Sequence, residues 1–291
     1  MNITICLVAY AQKFTETESF ASLVKLSGAI KKKLNVIVFD NGAIDYSEIK
    51  LSPLFHSLTY LYNLDPKERG TRIAYETSLS LSKDEWLMLL DDDTLLTESY
   101  MLTLFSELEG EERESDIVAY CAKIYDGTTQ ISPTASETLD MLLYPREAGV
   151  YHQDISGISS TLTLNKSFLE QIGGFTKEFP LDYLDHWLFS KIISSHKKVK
   201  VLQCKLSHHL SVQDLSSLSE ERFHSIFSSE YRFYKAYKPD LLCQLKRKYV
   251  KMILEGLLKR DSGIRWKYLI KLMLQVKKTN PRLREEFHRF D

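Results

Sequence analysis

Cysteine is scarce in this 291-residue chain, and its four cysteines, Cys6, Cys121, Cys204 and Cys243, lie far apart. No C-x-x-C pair occurs, which argues against a zinc site or a redox couple of the usual spacing. Cys6 and Cys121 lie in apolar runs, so we expect buried thiols. Such cysteine usage is typical of a reducing compartment and predicts a cytoplasmic protein.

Long apolar runs are also missing. No segment approaches the ~18 consecutive apolar residues of a membrane-spanning helix. Residues 1–10 lack the basic start and the cleavage site of a secretory signal, and their apolar run has the length of a strand. Hydrophobic residues still make up 44% of the chain, which is enough for a folded core and argues against disorder.

The chain has no overall excess of one charge, since 38 basic residues face 39 acidic ones. The distribution is uneven, however. Residues 240–291 hold 14 basic and 6 acidic side chains, a charge of +8, which leaves −9 for residues 1–239. Because most of the chain would repel phosphate, we expect no nucleic-acid partner.

Apolar, β-prone runs alternate with helical patterns in the first third of the chain. Continuous rather than alternating hydrophobicity indicates strands that are covered on both faces, as in a parallel sheet. This pattern predicts an α/β fold with a mostly parallel sheet flanked by helices. The predicted strands are 3–8, 35–39, 58–61 and 86–90, and the predicted helices are 14–32 and 71–81.

Later segments are less regular. We predict strands at 117–124 and 199–202, a loop-rich insert at 126–150 and a helix at 183–195. From residue 216 onward the pattern is helical. The predicted domains are a main domain, 1–238, with two parts, 1–95 and 96–215, followed by a basic helical extension, 239–291.

Three adjacent carboxylates, Asp91, Asp92 and Asp93, follow the predicted strand 86–90. Ligands of open α/β sheets bind beyond the carboxyl ends of the strands, and a carboxylate cluster there suits Mg²⁺ or Mn²⁺. The alternative is an acidic turn in which Asp93 or Thr94 caps the next helix. Asp40, at the end of another strand, is a candidate contact to a base or ribose, or the start of an Asx turn.

These residues occur in an order that resembles the family-2 glycosyltransferases of the GT-A fold. The resemblance covers about residues 1–235, and its Asp-Tyr-x-Asp form is closest to the rhamnosyltransferase-like subgroup. It implies that residues 1–238 are the catalytic domain, with 1–95 as the nucleotide-binding half and 96–215 as the acceptor half. It does not include the basic extension. The matching segments are Ala-Tyr10, Val-Phe-Asp40-Asn-Gly, Arg-Gly-Thr-Arg72-Ile-Ala, Leu-Leu-Asp91-Asp-Asp93, Ile172-Gly-Gly-Phe175, Phe179-Pro-Leu-Asp182-Tyr-Leu-Asp185 and Leu206-Ser-His208-His209.

The resemblance implies a nucleotide-sugar site, in which Arg72 would face the pyrophosphate or base. A salt bridge from Arg72 to Glu68 or Glu76 is the structural alternative. Mn²⁺ or Mg²⁺ would be held by Asp91 and Asp93. The residues implied for the donor are Tyr10, Asp40, Arg72, Asp91 and Asp92, and His208 or His209 is implied as a further metal ligand.

The implied reaction moves a sugar from a nucleoside diphosphate to an acceptor hydroxyl, which needs a general base. Asp185 is the first candidate and Asp182 the second. Tyr183 stands where the family has an acid, and a phenol is a poor base at neutral pH. The alternative is that Asp182 caps the next helix. Trp187 and Tyr183 are candidates for an apolar wall against a sugar ring. The alternative for Trp187 is a place in the hydrophobic core.

The pattern of the extension predicts basic amphipathic helices. Such helices can bind an anionic membrane surface, which would place the protein at the inner face of the cell membrane. The alternatives are a solvated basic face and a homodimer contact. The predicted apolar side of these helices contains Tyr249, Met252, Ile253, Leu257, Leu258, Trp266, Leu269 and Leu272.

The predicted protein is an inverting, metal-dependent glycosyltransferase that uses a UDP- or dTDP-sugar and a glycan or lipid-linked acceptor in polysaccharide assembly. The alternatives are an inactive glycosyltransferase-like partner subunit and a nucleotidyltransferase. The latter is disfavoured because no glycine follows the first strand in Tyr10-Ala-Gln-Lys-Phe14.

Overall fold

The computed structural model describes residues 1–10, 12–49, 53–65, 67–110, 114–208, 218–258 and 264–274. The chain forms two compact units, Met1–Gln213 and Asp214–Asp291. The domain boundary predicted between residues 238 and 239 stays a prediction, and it would fall inside the second unit.

Four parallel strands build the first part of the sheet, as the apolar runs predict. They are β1 (Ile3–Ala9), β2 (Leu34–Asp40), β3 (Ser57–Tyr62) and β4 (Trp86–Asp91), in the order β3-β2-β1-β4. The register pairs Ala9 with Asp40 and Val8 with Asp91. The carboxyl ends of β2 and β4 therefore meet at one edge of the sheet, on either side of β1.

Helices cover this sheet, but the helix predicted over 14–32 is divided. The structure has a 3₁₀ turn at Phe14–Glu16, then α1 (Glu18–Lys25) and α2 (Gly28–Lys31). Leu26 is extended, and the Ser27 side chain accepts a hydrogen bond from the backbone N–H of Ile30 to start α2. The helix α3 (Thr71–Leu81) has the predicted bounds, and α4 (Glu98–Glu109) follows β4.

The second part of the sheet is mixed. The strand β9 (Thr163–Asn165) lies antiparallel between β4 and β6 (Ile117–Asp126), and β10 (Lys198–His208) runs parallel to β6. Three short strands complete the sheet, namely β5 (Thr94–Leu95) and β8 (Gly149–Tyr151), which pair with β10, and β7 (Thr129–Ser132), which pairs with β6.

Two predictions change in this region. The strand predicted at 199–202 extends to the eleven residues of β10, and the insert at 126–150 contributes β7 and β8 as well as loops. The helices α5 (Lys166–Gln171) and α6 (Leu184–Ser194) follow β9 and precede β10. The core lies between sheet and helices, with fully enclosed side chains such as Leu7, Val38, Met88, Leu90, Tyr100 and Leu104.

The second unit is helical, as predicted. It contains α7 (Glu220–Tyr237), α8 (Leu242–Leu258) and α9 (Ile264–Leu274), and α8 packs against both α7 and α9. The buried Tyr249 hydroxyl donates to Glu230 Oε2 at 2.9 Å, and Lys248 reaches Glu230 Oε1 at 2.9 Å. Within the described residues, no helix combines the length and apolarity needed to cross a membrane.

Candidate functional site

The Asp91–Asp93 cluster lies at the carboxyl edge of the sheet, directly after β4. The Asp91 side chain accepts a hydrogen bond from the Tyr75 hydroxyl of α3 at 3.3 Å. The backbone N–H of Asp91 donates to Ser160 Oγ at 3.1 Å. Thr97, rather than Asp93 or Thr94, caps α4 by accepting from the Tyr100 N–H. The cap interpretation of the acidic turn is therefore wrong.

His208 comes to this cluster from the far end of β10. It pairs with Thr94 across the antiparallel β10–β5 ladder. Its Nδ1 lies 2.8 Å from Thr94 Oγ1 and 3.1 Å from Asp93 Oδ1. Burial lowers the pKa of His208, but hydrogen bonding and charge from Asp93, with the charge of Asp91, raise it above its ordinary value overall. His209, the alternative ligand, lies outside the described residues.

Charge is concentrated among the three carboxylates. Burial, followed by the nearby charge of Asp93, raises the pKa of Asp91 to about 7, and His208 partly opposes the shift. Burial and Asp93 also raise the pKa of Asp92, whose Oδ2 accepts the backbone N–H of Tyr10 at 3.3 Å. The cluster thus carries electrostatic repulsion that a bound cation would relieve.

Hydroxyl groups that the sequence analysis did not single out hold this cluster in place. Ser160 Oγ lies 2.7 Å from Thr94 Oγ1, which in turn contacts His208, so one chain of hydrogen bonds links β4, β5 and β10. Ser19 Oγ donates to the Asp91 carbonyl at 2.5 Å. Ser159 Oγ lies 3.0 Å from the Tyr75 hydroxyl. In the sequence, the feature that could have indicated these hydroxyl groups is the polar run 159–161, which lies between apolar residues.

Asp40 has no exposed surface, which changes its predicted role. Its Oδ1 accepts the Gly42 N–H at 2.7 Å and its Oδ2 accepts the Tyr60 hydroxyl at 2.9 Å. The Asx-turn interpretation is thus confirmed, while a contact to the base or ribose stays a prediction. A Cβ at Gly42 would lie 2.9 Å from the Tyr10 carbonyl, so the loop after β2 sits against Tyr10, which is 60% exposed.

Arg72 lies at the first turn of α3 and is buried. Its guanidinium lies 3.6 Å from Glu68 Oε2, so the ion pair with Glu68 is present. The Arg72 N–H donates to the Pro180 carbonyl at 3.2 Å. A Cβ on the preceding Gly70 would come within 2.3 Å of that carbonyl. The loop before α6 therefore rests on the start of α3, which joins the two parts of the predicted site.

Glu76, the other partner considered for Arg72, has a different contact. Its carboxylate accepts the Phe175 N–H at 2.8 Å. Gly173 and Gly174 both have positive φ, 82° and 77°, and a Cβ at Gly174 would lie 2.6 Å from Glu76 Oε2. The Gly-Gly-Phe segment thus has a structural function: it ends α5 and anchors the following loop to α3.

The Asp-Tyr-x-Asp segment starts α6 in a strained conformation. Tyr183 occupies the N-cap position with φ 68°, the left-handed region that a bulky residue rarely adopts, and its side chain makes no capping hydrogen bond. The alternative in which Asp182 is the N-cap is therefore wrong. Asp185 lies in the first turn, and its charge contributes to the raised pKa of both Asp91 and Tyr75. Asp185 thus belongs electrostatically to the carboxylate cluster.

Aromatic residues around this turn have separate positions. Trp187 is buried, which favours the core interpretation over a sugar-binding wall. The Tyr183 ring packs on His186 with centroids 4.7 Å apart, and His186 Nδ1 lies 2.9 Å from Ser156 Oγ. Ser156 and His186 were not predicted as site residues. The backbone N–H of His186 donates to Asp185 Oδ1 at 2.8 Å.

Among the described residues, the sheet edge provides part of a coordination shell for a divalent cation. Asp93 Oδ1 is buried and lies 3.1 Å from His208 Nδ1. The described residues contain no cluster of three or more His, Cys, Asp or Glu side chains arranged to hold a metal ion. Mg²⁺ sites at phosphates commonly use one or two carboxylates and take their other ligands from phosphate and water.

Comparison with known proteins agrees with the fold. The family model "Glycosyl transferase family 2" matches residues 4–173, more than half of the chain. The chain belongs to this family. The match covers β1 to β9 and includes Asp40, Arg72 and Asp91–Asp93 but not Asp185 or His208. No curated protein sequence matches the chain.

Solved structures of S. aureus TarS have a similar fold. TarS 1–349 aligns with a TM-score of 0.53 at 13% identity over 96% of this chain and 93% of that chain. The same fragment in complex with UDP-GlcNAc aligns with a TM-score of 0.53 at 14% identity over 92% and 79%. Against a longer TarS chain, the match spans 82% of this chain and only 45% of that one.

Proposed function

We propose that the protein transfers a sugar from a nucleoside-diphosphate donor to an acceptor hydroxyl, with inversion at the anomeric carbon. The observation that carries the proposal is the convergence of carboxylates from two elements. Asp91 and Asp93 follow β4, and Asp185, on α6, is close enough for its charge to raise the pKa of Asp91. Family membership supports glycosyl transfer, and the UDP and UDP-GlcNAc complexes of TarS support a UDP-sugar donor.

The donor would lie along the carboxyl ends of β1, β2 and β4. Tyr10 is the exposed aromatic group available to a base, and the Asp40–Gly42 turn shapes the wall beside it. Arg72 would place a fixed cation near the pyrophosphate. Asp92, which holds the Tyr10 backbone, would position this edge rather than touch the donor.

Two of the groups Asp91, Asp93 and His208 would hold Mn²⁺ or Mg²⁺ beside the pyrophosphate, and phosphate and water oxygens would supply the other ligands. Bound there, the cation would supply charge stabilisation for the departing nucleoside diphosphate. Neighbouring hydroxyl side chains hold the proposed ligands in position. Thr94 Oγ1 lies 2.8 Å from His208 Nδ1 and fixes the imidazole, and Ser160 Oγ accepts the Asp91 N–H at 3.1 Å, with the two hydroxyl oxygens 2.7 Å apart.

Asp185 would be the general base that takes the proton from the acceptor hydroxyl. One base and one direct displacement invert the anomeric centre. Its position beside the carboxylate cluster supports Asp185 over Asp182. The Asp-Tyr-x-Asp segment supports a rhamnosyltransferase-like donor preference, and a glycan or lipid-linked saccharide remains the proposed acceptor. Homodimer formation is a further hypothesis.

A donor screen tests this proposal. The full chain is incubated with UDP- and dTDP-sugars, Mn²⁺ and saccharide acceptors, and released nucleoside diphosphate is measured with and without a chelator. We expect release with one donor group, lost on chelation. Absence of release with every donor, together with absence of nucleotide binding, would favour the inactive partner-subunit alternative.

A further inference from the structure

The helix α8 has two apolar sides, and only one of them packs inside the second unit. Leu245, Tyr249 and Ile253 are buried, as are Leu269 and Leu272 of α9. Four of these side chains, Tyr249, Ile253, Leu269 and Leu272, belong to the apolar side that the sequence assigned to a membrane. That assignment is therefore wrong for them, because these residues stabilise the helical unit itself.

A second line of side chains runs along the exposed side of α8. We call Cys243, Arg247, Val250, Leu254 and Leu257 the α8 stripe. Their spacing of four, three, four and three residues places them on one face of a helix. The exposed fractions are 47% for Val250, 56% for Leu254 and 49% for Leu257. Three large apolar groups thus face solvent within two turns.

Basic residues flank this stripe. At 100° per residue, Lys246 lies on one side of Val250 and Lys251 on the other, while Arg247 lies within the stripe itself. The acidic residue of α8 is Glu255, which lies beyond Lys251, with 4.0 Å between the charged groups of the two. The apolar stripe is therefore bordered by cations on both sides.

This charge pattern distinguishes between two kinds of partner. In a symmetric contact with a second copy, the stripe would meet the same stripe, which brings Arg247 and its neighbouring lysines close to their own like charges. Two heptads are also short for a coiled coil, which needs three or four. An anionic lipid surface would instead neutralise the cations and accept the apolar side chains.

We propose that the α8 stripe is a membrane-binding surface for anionic phospholipid headgroups. The side chains of Val250, Leu254 and Leu257 enter the boundary between headgroups and acyl chains, and Lys246, Arg247 and Lys251 contact the phosphates. This surface is independent of the carboxylate site, since it uses only residues of the second unit.

The test is vesicle co-sedimentation of the full chain with phosphatidylcholine vesicles that contain or lack phosphatidylglycerol. The variant is Leu254→Glu/Leu257→Glu. Its matched control is Leu102→Glu/Leu81→Glu, which adds the same charge at leucines of nearly equal exposure, 56% and 48%, in the first unit. All of these positions are exposed, so circular dichroism should be unchanged.

We expect preferential binding to the anionic vesicles, a loss of at least about tenfold in the α8 variant and little change in the control. Arg247→Ser/Lys251→Ser should weaken anionic binding roughly tenfold or more, at about fivefold per cation. The proposal is overturned if both double-glutamate proteins bind alike, if lipid charge has no effect, or if the α8 variant instead abolishes dimer formation in sedimentation.

Discussion

The regularity of the sheet differs between residues 1–95 and the region that follows. The parallel strands β1, β2, β3 and β4 of the first region pair without a register shift, whereas β6 and β10 of the second pair with two register shifts. The non-glycine residues with positive φ in the described chain also lie in the second region, at Asp154, Thr161, Tyr183 and His196. A regular sheet thus presents the residues proposed for the donor at its edge. The region proposed for the acceptor is positioned by irregular backbone, whose strain must be supported by surrounding contacts.

The largest effect that this comparison predicts concerns Asp185. Asp185→Asn keeps the shape of the side chain but removes the proposed base from the acceptor side. We expect kcat for sugar transfer to fall by about 10²–10⁴-fold. Donor binding should stay within a few-fold, because the donor edge is built from other elements. Nucleoside-diphosphate release and calorimetric UDP binding measure the two effects separately.

Asp182→Asn is the matched control, three residues earlier on the same turn. It should retain transfer within a few-fold, since the charge of Asp185, and not that of Asp182, is among the leading causes of the raised pKa of Asp91. If Asp182→Asn loses activity and Asp185→Asn retains it, the assignment of the base is reversed.

The second prediction disturbs the contact between the two regions. A Cβ at Gly70 would lie 2.3 Å from the Pro180 carbonyl, a backbone atom that cannot move alone. Gly70→Ala should therefore destabilise the fold by about 1–3 kcal/mol, as overpacking commonly does. Thermal unfolding measures the change, and activity should fall as the loop before α6 moves.

Gly28→Ala is the control with the opposite expected sign. No atom lies within 4 Å of a Cβ at Gly28, which begins α2. This substitution should leave stability unchanged or raise it by up to about 1 kcal/mol. Equal destabilisation by the two alanines would show that the Gly70–Pro180 contact has no special importance.

A third prediction, of similar size to the second, concerns the hydroxyl that links the two regions. Ser160→Ala removes the partner of the Asp91 N–H and of Thr94 Oγ1. Loss of this buried hydroxyl should cost about 1–3 kcal/mol of stability if the Asp91 N–H stays unsatisfied. Urea unfolding can compare it with Ser80→Ala, whose exposed hydroxyl donates only to the Thr77 carbonyl within the same helix. The control should change stability by less than about 0.5 kcal/mol.

Much of the fold of residues 1–95 could be predicted from the sequence. The bounds of α3 agree with the prediction, and β1, β2 and β4 lie where continuous apolar runs end in turn residues. Buried parallel strands are recognisable from such runs alone, whereas the end strand β3 is exposed or half-buried along its length. The position of Asp91–Asp93 at the carboxyl edge follows from the same pattern.

The rest depended on contacts between distant residues. β10 extends to His208 because Lys205 and Ser207 pair with β6. Their polar side chains break the apolar pattern, so the sequence predicts only the first part of this strand. Ser160 lies 69 residues from Asp91, so its hydrogen bond could not be inferred from spacing. The burial of Tyr249 was missed for the same reason. Its helix is amphipathic whether it packs on lipid or on another helix.

The nucleotide-sugar site proposed at the carboxyl edge of β1, β2 and β4 makes a prediction for nucleotide binding alone. Calorimetric titration of UDP into the full chain with Mn²⁺ tests it most directly. We predict saturable binding at one site, weakened at least about tenfold, or 1.4 kcal/mol, by Asp93→Ala. Absence of binding by both UDP and dTDP, or UDP binding unaffected by Asp93→Ala and by removal of Mn²⁺, would contradict the account.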